Sequence, residues 1–369
     1  MVRSPGVVRS WPCWLLLAAV ACHEETDAWS DHTFAWHGEH VSVYGYGYEE
    51  ADLCGGSLAE LEGHTALIED ALGLEGPPYV FRWISDDEWT ARTPCPLGSF
   101  CARDGAAIAR VIPQMQQATL AILDQAAVEC PALLEDGLGV LFNGPTPSWE
   151  LDPTEYEITE LLEYERVPVH GSAHVRAGHF VAFLAERHGF RSILDLCQAL
   201  PQRPTLTQWS LATAAVLDEP LTELLGNYSG YPLCDSQQLR ARLWGCKSPD
   251  LTFTGELHVA GDCSDPQATN APWTSWWGDY GDALLLRRVY FPDNALVRIS
   301  THAQGPSGVG ARFASTACAP CSEVPSVVRG DGEGGGLGGL ELYTAGLHEF
   351  VVYFDRRDSV ELDMWEEAL

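Results

Sequence analysis

Apolar and polar positions follow two different rhythms along this chain, and the change falls near residue 248. Before it, the pattern is mixed. Residues 33–47, TFAWHGEHVSVYGYG, partly alternate and are rich in Val, Tyr and Trp, which predicts strands or a hairpin. Leu58, Leu61, Ile68 and Leu72, with Thr65 between them, recur at helical spacing over 55–74, and Gly63 and Gly73 weaken that helix. A strand is expected at Tyr79–Ile84, a Cys-bracketed loop from Cys95 to Cys101, and an apolar stretch at Ala106–Ile112. Helical periodicity or strong helix formers then cover 114–128, 131–142, 156–164, 173–188, 190–199, 206–217 and 235–243, with Gly144 and Gly189 as stops. After 248 come short β runs: LTFTGELHVAG, ALLLRRVYF, ALVRIST, GVGARFAST, LELYTAG, HEFVVYF and SVELDMW. They predict an all-β sandwich of roughly seven or eight strands. The stretch 330–339, GDGEGGGLGG, reads as a flexible loop between strands and lacks the Lys-Ser/Thr of a phosphate loop. The fold class is α+β: a small β/α region, a helical region and a C-terminal sandwich.

The first 22 residues change the picture by giving an address. Arg3 and Arg9 precede a short apolar run, Trp11 to Ala21, too short to span a bilayer and read as a secretory signal. Its end, Ala19-Val20-Ala21-Cys22, resembles a bacterial lipobox, which implies lipidation at Cys22. The expected organisation is a signal at 1–21, a tether at 22–32, one domain at 33–247 and the sandwich at 248–369. The expected location is the cell envelope, as an outer-membrane lipoprotein, with a secreted form as the alternative.

Charge excludes partners more than it names them. The full chain has 52 acidic and 21 basic residues, a net charge of −31, and loss of Arg3 and Arg9 with the signal takes it to −33. Such a surface is a poor match for nucleic acid. Ten cysteines follow Cys22, most simply five disulfides in an exported protein. Local closures Cys95–Cys101, Cys234–Cys246 and Cys318–Cys321 are favoured.

G-x-S-x-G, H-E-x-x-H, the calcium loop and the dinucleotide fingerprint are all missing. Two segments nonetheless resemble the gluzincin (peptidase MA-like) metallopeptidases. C-G-G-S-L-x-x-L-E opens the first helix, and Leu133-Leu134-Glu135-Asp136-Gly137-Leu138-Gly139 is similar to that group's F-L-x-E-G-L-A helix. His174-Val175-Arg176-Ala177-Gly178-His179-Phe180-Val181 is similar to its Y-x-x-A-G-S-F-V helix, continued by Glu186-Arg187-His188-Gly189. The resemblance covers about residues 33–230 and implies a zinc peptidase scaffold. It also implies that the zinc motif should fall on Pro113-Gln114-Met115-Gln116-Gln117-Ala118. There Pro113 and Gln117 stand for the two imidazoles, Gln114 for the base, Asp136 for the third ligand and His174 for the tyrosine. Gln is a poor zinc ligand and no general base. The expectation is therefore a scaffold that has lost zinc catalysis and acts by binding a peptide or glycan, or as an envelope component, with no cofactor.

The rival reading is a living hydrolase with a relocated zinc site at His170, His174, His179 and Asp136. On a helix His170 and His174 share a face, while His179 lies roughly 140° from His174. The bland reading makes these helix-start and surface histidines, and His32, His37 and His40 likewise. In the sandwich, Trp273, Trp276, Trp277 and Tyr280 form an aromatic patch that either binds sugar or fills the core, and Asp279 and Asp282 either bind calcium or sit on the surface.

Overall fold

The computed structural model describes residues 29–92, 94–95, 100–143, 155–163, 171–234, 236–245, 249–271, 283–307, 311–318, 328–331, 336–343 and 345–367. The chain divides into Met1–Asp31 and His32–Leu369, and every helix and strand described below lies in the second unit.

The first sheet joins β1 (Phe34–His37), β2 (Val41–Tyr46), β3 (Tyr79–Ile84), β4 (Phe100–Arg103) and β5 (Ala106–Ala109) in the order β1-β2-β3-β5-β4. β1 and β2 form the expected antiparallel hairpin, with Phe34 opposite Gly45. β2–β3 and β3–β5 are parallel, and β4 returns antiparallel on the edge. Alternation in VSVYGY puts Val41 and Val43 in the core, and Tyr46 at the strand's end is buried outside that alternation, whereas β5 is small and buried throughout. The crossover from β2 to β3 is α1 (Ser57–Leu72), which buries Leu61, Thr65, Ile68 and Leu72. It stops at Gly73, whose φ of +62° is left-handed.

Helices then dominate: α2 (Asp86–Arg92) between β3 and β4, followed after β5 by α3 (Met115–Gln125), α4 (Ala132–Phe142), α5 (Ile158–Leu161), α6 (Gly171–His188), α7 (Phe190–Ala199), α8 (Leu206–Val216), α9 (Leu221–Tyr228) and α10 (Ser236–Trp244). Gly189 closes α6 at φ +81°, as its position suggested, while Gly144 lies outside the described residues. α2 and α9 were not expected from the pattern. One hydrophobic core runs from Val41 on β2 to Leu239 on α10.

Beyond residue 250 the fold is β. The strands are β6 (Leu251–Thr252), β7 (Glu256–Asp262), β8 (Ala268–Asn270), β9 (Ala283–Phe291), β10 (Ala295–Gln304), β11 (Arg312–Ala317), β12 (Val328–Asp331), β13 (Gly336–Tyr343), β14 (Gly346–Phe354) and β15 (Ser359–Glu366). One sheet is ordered β13-β10-β15-β7; the other is β12-β11-β14-β9-β6, with β8 also on β9. Val297, Ile299, Leu362 and Met364 of the first meet Leu285, Phe291, Phe350 and Val352 of the second in a separate core. Among the described residues ten strands stand where seven or eight were expected. LTFTGELHVAG splits into β6 and β7, β8 has only three residues, and β12 lies where a loop was expected. The glycine-rich stretch is corrected most. Gly330 and Asp331 end β12, and Gly336–Gly339 begin β13, because backbone pairing, with β11 and β10 respectively, needs no side chain. The register slips there, Arg298 facing Leu340 and Ser300 facing Leu337, which is a bulge accommodated at Gly338-Gly339.

The two cores are tied together at the C-G-G-S segment. Cys54 is disulfide-bonded to Cys263 across 209 residues. Gly55 N–H donates to Cys263 O at 2.7 Å and Gly56 N–H to Ala268 O at 2.8 Å. A Cβ on Gly55 would sit 2.8 Å from Ser264 O, and one on Gly56 would sit 2.5 Å from Pro266 O. Those contacts are backbone, so the joint requires both glycines. Asn270 finishes it. Its Oδ1 accepts from Cys54 N–H at 2.9 Å and Ser57 Oγ at 2.7 Å, while its Nδ2 donates to Asp52 O at 2.9 Å. Its own N–H donates to Ser57 Oγ at 2.9 Å. Arg356 adds an ion pair to Asp52 at 3.1 Å.

Candidate functional site

The two helices that carry the peptidase-like motifs pack on each other, and their glycines are the reason they can. A Cβ at Gly137 of α4 would lie 2.4 Å from Val181 Cγ2 and 2.6 Å from Ala177 O of α6. A Cβ at Gly178 would lie 2.7 Å from Val140 Cγ1. The small residues of the E-D-G-L-G and A-G-H stretches thus serve close helix approach. α3 joins the pair where Gln116 lies against Gly139, and Asp124 near its other end acts electrostatically on Glu135. α3 and α4 are therefore antiparallel, so the start of α3 and the end of α4 stand at the same end of the pair.

His174 and Asp136 meet on this scaffold. Nδ1 of His174 is 2.6 Å from Asp136 Oδ2, with both side chains partly open to solvent. Burial works against the imidazolium, but the hydrogen bond and charge of Asp136 overcome it and raise the His174 pKa. The pair can hold a proton on Nδ1 and orient the ring.

The zinc-motif positions behave differently. Pro113 precedes α3 and offers no ligand atom, Gln117 is buried on its first turns, and Gln114 stands at the N-cap position without a side-chain cap bond. Gln114 is fully buried, at 0% exposure, and neither its Oε1 nor its Nε2 has a hydrogen-bond partner among the described residues. Asn143, the C-cap of α4, is buried with its Oδ1 equally unpartnered. Carboxamides are weak zinc ligands, and Asp136 is already engaged by His174. These residues do not fit a zinc ion. Among the described residues no group of three or more His, Cys, Asp or Glu is placed to hold a metal.

Other expected site residues are dispersed. His170 lies outside the described residues. His179, grouped above with surface histidines, is buried at 1% exposure. The reason is its neighbourhood: Tyr228 OH donates to Nδ1 at 2.9 Å, Nε2–H donates to Pro232 O at 2.8 Å, and Phe183 and Tyr231 complete an aromatic wall. Burial holds its pKa down at about 4, so it is the neutral Nε2–H tautomer. It does not join His174 and Asp136. His32 and His37 both rest on Tyr44, His37 also contacts Ser42, and His40 instead bonds Glu69 at 2.6 Å. The end of the second motif is structural as well. Arg187 and His188 both bond Glu219, and Glu186 takes Arg242 and Tyr231. Trp273, Trp276, Trp277, Tyr280, Asp279 and Asp282 lie outside the described residues.

Cys95–Cys101 closes locally as expected, but Cys54–Cys263 and Cys130–Cys197 are long-range. Cys234 and Cys318 are also disulfide-bonded, and Cys246 and Cys321 lie outside the described residues. This cysteine usage belongs to an oxidising compartment, extracellular or periplasmic. Among the described residues no helix is long and apolar enough to cross a membrane.

No family profile and no curated protein matches the chain. Solved structures include a match to Legionella pneumophila aminopeptidase A in complex with aspartic acid, at 9% identity and a TM-score of 0.29. The match covers 86% of this chain and 34% of that one, so the chain spans about a third of that protein's length. Overlap at this level establishes neither a shared fold nor a shared activity.

Proposed function

We propose that this is an exported, lipid-anchored binding protein built on a gluzincin-like scaffold without zinc catalysis. The anchor is Cys22, the membrane is the outer membrane, and the bound partner is a peptide or a glycan. The observation that carries the reading is the chemistry at the three motif positions and the third-ligand position. Pro113, Gln114 and Gln117 replace the ligands and base, and Asp136 is paired with His174. The glycine-mediated contact between α4 and α6 supports it, because both motif helices serve one packing unit.

Metal analysis of the purified protein tests it. The expected result is zinc far below one per chain and a melting temperature unchanged by chelator. Stoichiometric zinc that a chelator removes would overturn the reading. The His174–Asp136 contact favours one second reading, a zinc hydrolase using His170, His174 and Asp136. That reading requires the same zinc to disappear in His174→Ala. Mass spectrometry of the mature N-terminus tests the anchor, with a diacylglyceryl group expected on Cys22.

A further inference from the structure

We infer that the free edge of β7 takes up an extended basic peptide as an added strand. The inference rests on the binding-protein reading above and names a surface and a partner for it.

The outermost strand of a sheet presents backbone groups that its own sheet does not bond, and folded proteins guard such edges. Most edges in this molecule are guarded. β1, β4 and β12 have four residues each and β6 has two, while β13 carries the bulge against β10. β7 is the exception. It is the seven-residue end strand of its sheet, paired with β15 in one unbroken register from Glu256 opposite Trp365 to Asp262 opposite Ser359. Glu256–Asp262 contains no Pro, Lys or Arg.

Register also fixes which groups are open. Glu366 N–H donates to Gly255 O at 2.8 Å, one step beyond the pair of Glu256 with Trp365. Bonded pairs alternate along an antiparallel ladder, so Leu257, Val259 and Gly261 are the residues that bond β15. The N–H and C=O of Glu256, His258 and Ala260 point the other way, and none of the described residues bonds them. These three residues and Asp262 are exposed.

Charge and pattern name the occupant. On the outward face Arg298 is matched by Glu367 and His258 by Asp363, each at 2.6 Å. His302 is left against Glu256, Asp262 and Glu361, an excess of negative charge that suits a cationic partner. On the inward side Val259 is buried in the sandwich core and Leu257 packs against it. An added strand therefore meets acids with one set of alternate side chains and apolar neighbours with the other. A second copy of this chain does not fit. Antiparallel pairing of two β7 edges over their full length sets Glu256 opposite Asp262 twice, and like charges directly opposite repel.

The test titrates the whole ¹⁵N-labelled protein with the synthetic peptide Lys-Thr-Lys-Val-Lys-Thr-Lys. At a concentration about ten times its Kd, amide exchange at His258 and Ala260 should slow about tenfold. Leu257 and Val259, already bonded to β15, should not follow. The same peptide with Glu in place of Lys should have no effect. N-methylation of alternate amides keeps the positive charge but removes the pairing, and that peptide should also leave exchange unchanged. Glu256→Lys should weaken the basic peptide roughly fivefold. Ala260→Pro removes an outward N–H without touching the β15 ladder and should abolish binding. Should the proline variant fail to fold, Glu256→Lys and the N-methylated peptide decide. No slowing by the basic peptide, equal slowing by either control peptide, or undiminished affinity in Glu256→Lys overturns the inference. In zinc-free protein such a result sinks this inference alone, whereas stoichiometric zinc sinks the scaffold reading first.

Discussion

Two buried carboxamides are treated in opposite ways by this fold. At the joint, Asn270 ties the start of α1 to β8 with hydrogen bonds on both of its amide atoms and on its backbone N–H. At the start of α3, Gln114 is buried with none for its side chain. The joint shows what the fold does with an amide it needs for cohesion. The orphan shows an amide kept despite a desolvation cost of about 1–3 kcal/mol. The fold thus bonds the amide that lies between the two cores and leaves the one at the start of α3 without a partner.

The largest expected effect comes from breaking the satisfied side. Asn270→Leu strands Cys54 N–H, Ser57 Oγ and Asp52 O together, and chemical denaturation should report a loss of ~3 kcal/mol. A loss below half of that would mean that the disulfide alone holds the joint. A change of pH probes another satisfied polar group, His179. Its pKa is depressed from the free value to about 4. The unfolded chain thus binds the extra proton first, and stability should fall as pH drops from about 6.5 to 4, by up to ~3 kcal/mol. His174 works in the opposite direction: its raised pKa gives stability below about pH 6.5 that is lost on going above its folded value. Replacing His179 by Phe should flatten the acid limb of a melting-temperature profile.

The orphan side predicts a gain. Gln114→Met removes the unpaired atoms at similar volume and should stabilise by ~1–2 kcal/mol in urea titrations. Destabilisation instead would place Gln114 with Asn270 and erase the contrast. The smallest effect is expected at the half-open pair. Asp136→Asn should cost under ~1 kcal/mol because solvent screens it. Its clearer signature is an NMR-titrated His174 that loses its raised pKa.

Much of the fold was legible because periodicity is a local property. β3 and α1, α4, α6 and α7 fall where alternating or 3.6-residue spacing placed them. α2 was hidden because it is acidic and buries just Trp89, and α9 because Gly226 interrupts its formers. β12 and the start of β13 were read as loop because glycine carries no strand signal, whereas pairing with distant strands is what makes them extended. The site divides in the same way. Asp136 and His174 could be set as partners from the motif spacing. His179 could not be recognised as buried, since its partners Tyr228 and Pro232 are 49 and 53 residues away. The C-G-G-S segment was visible as a motif, but its glycines answer to residues 264–268. The isolation of Gln114 is a property of its surroundings and has no trace in its neighbours along the chain.

The pairing of Cys54 with Cys263 also sets an order of events during biogenesis. Cys95 can meet Cys101 as soon as both are made, but six other cysteines appear between Cys54 and its partner. Cys54 must wait as a thiol or enter a provisional bond and leave it again. Oxidative folding of this chain is thus non-consecutive, and a thiol–disulfide isomerase, beyond an oxidant alone, is the helper its maturation calls for.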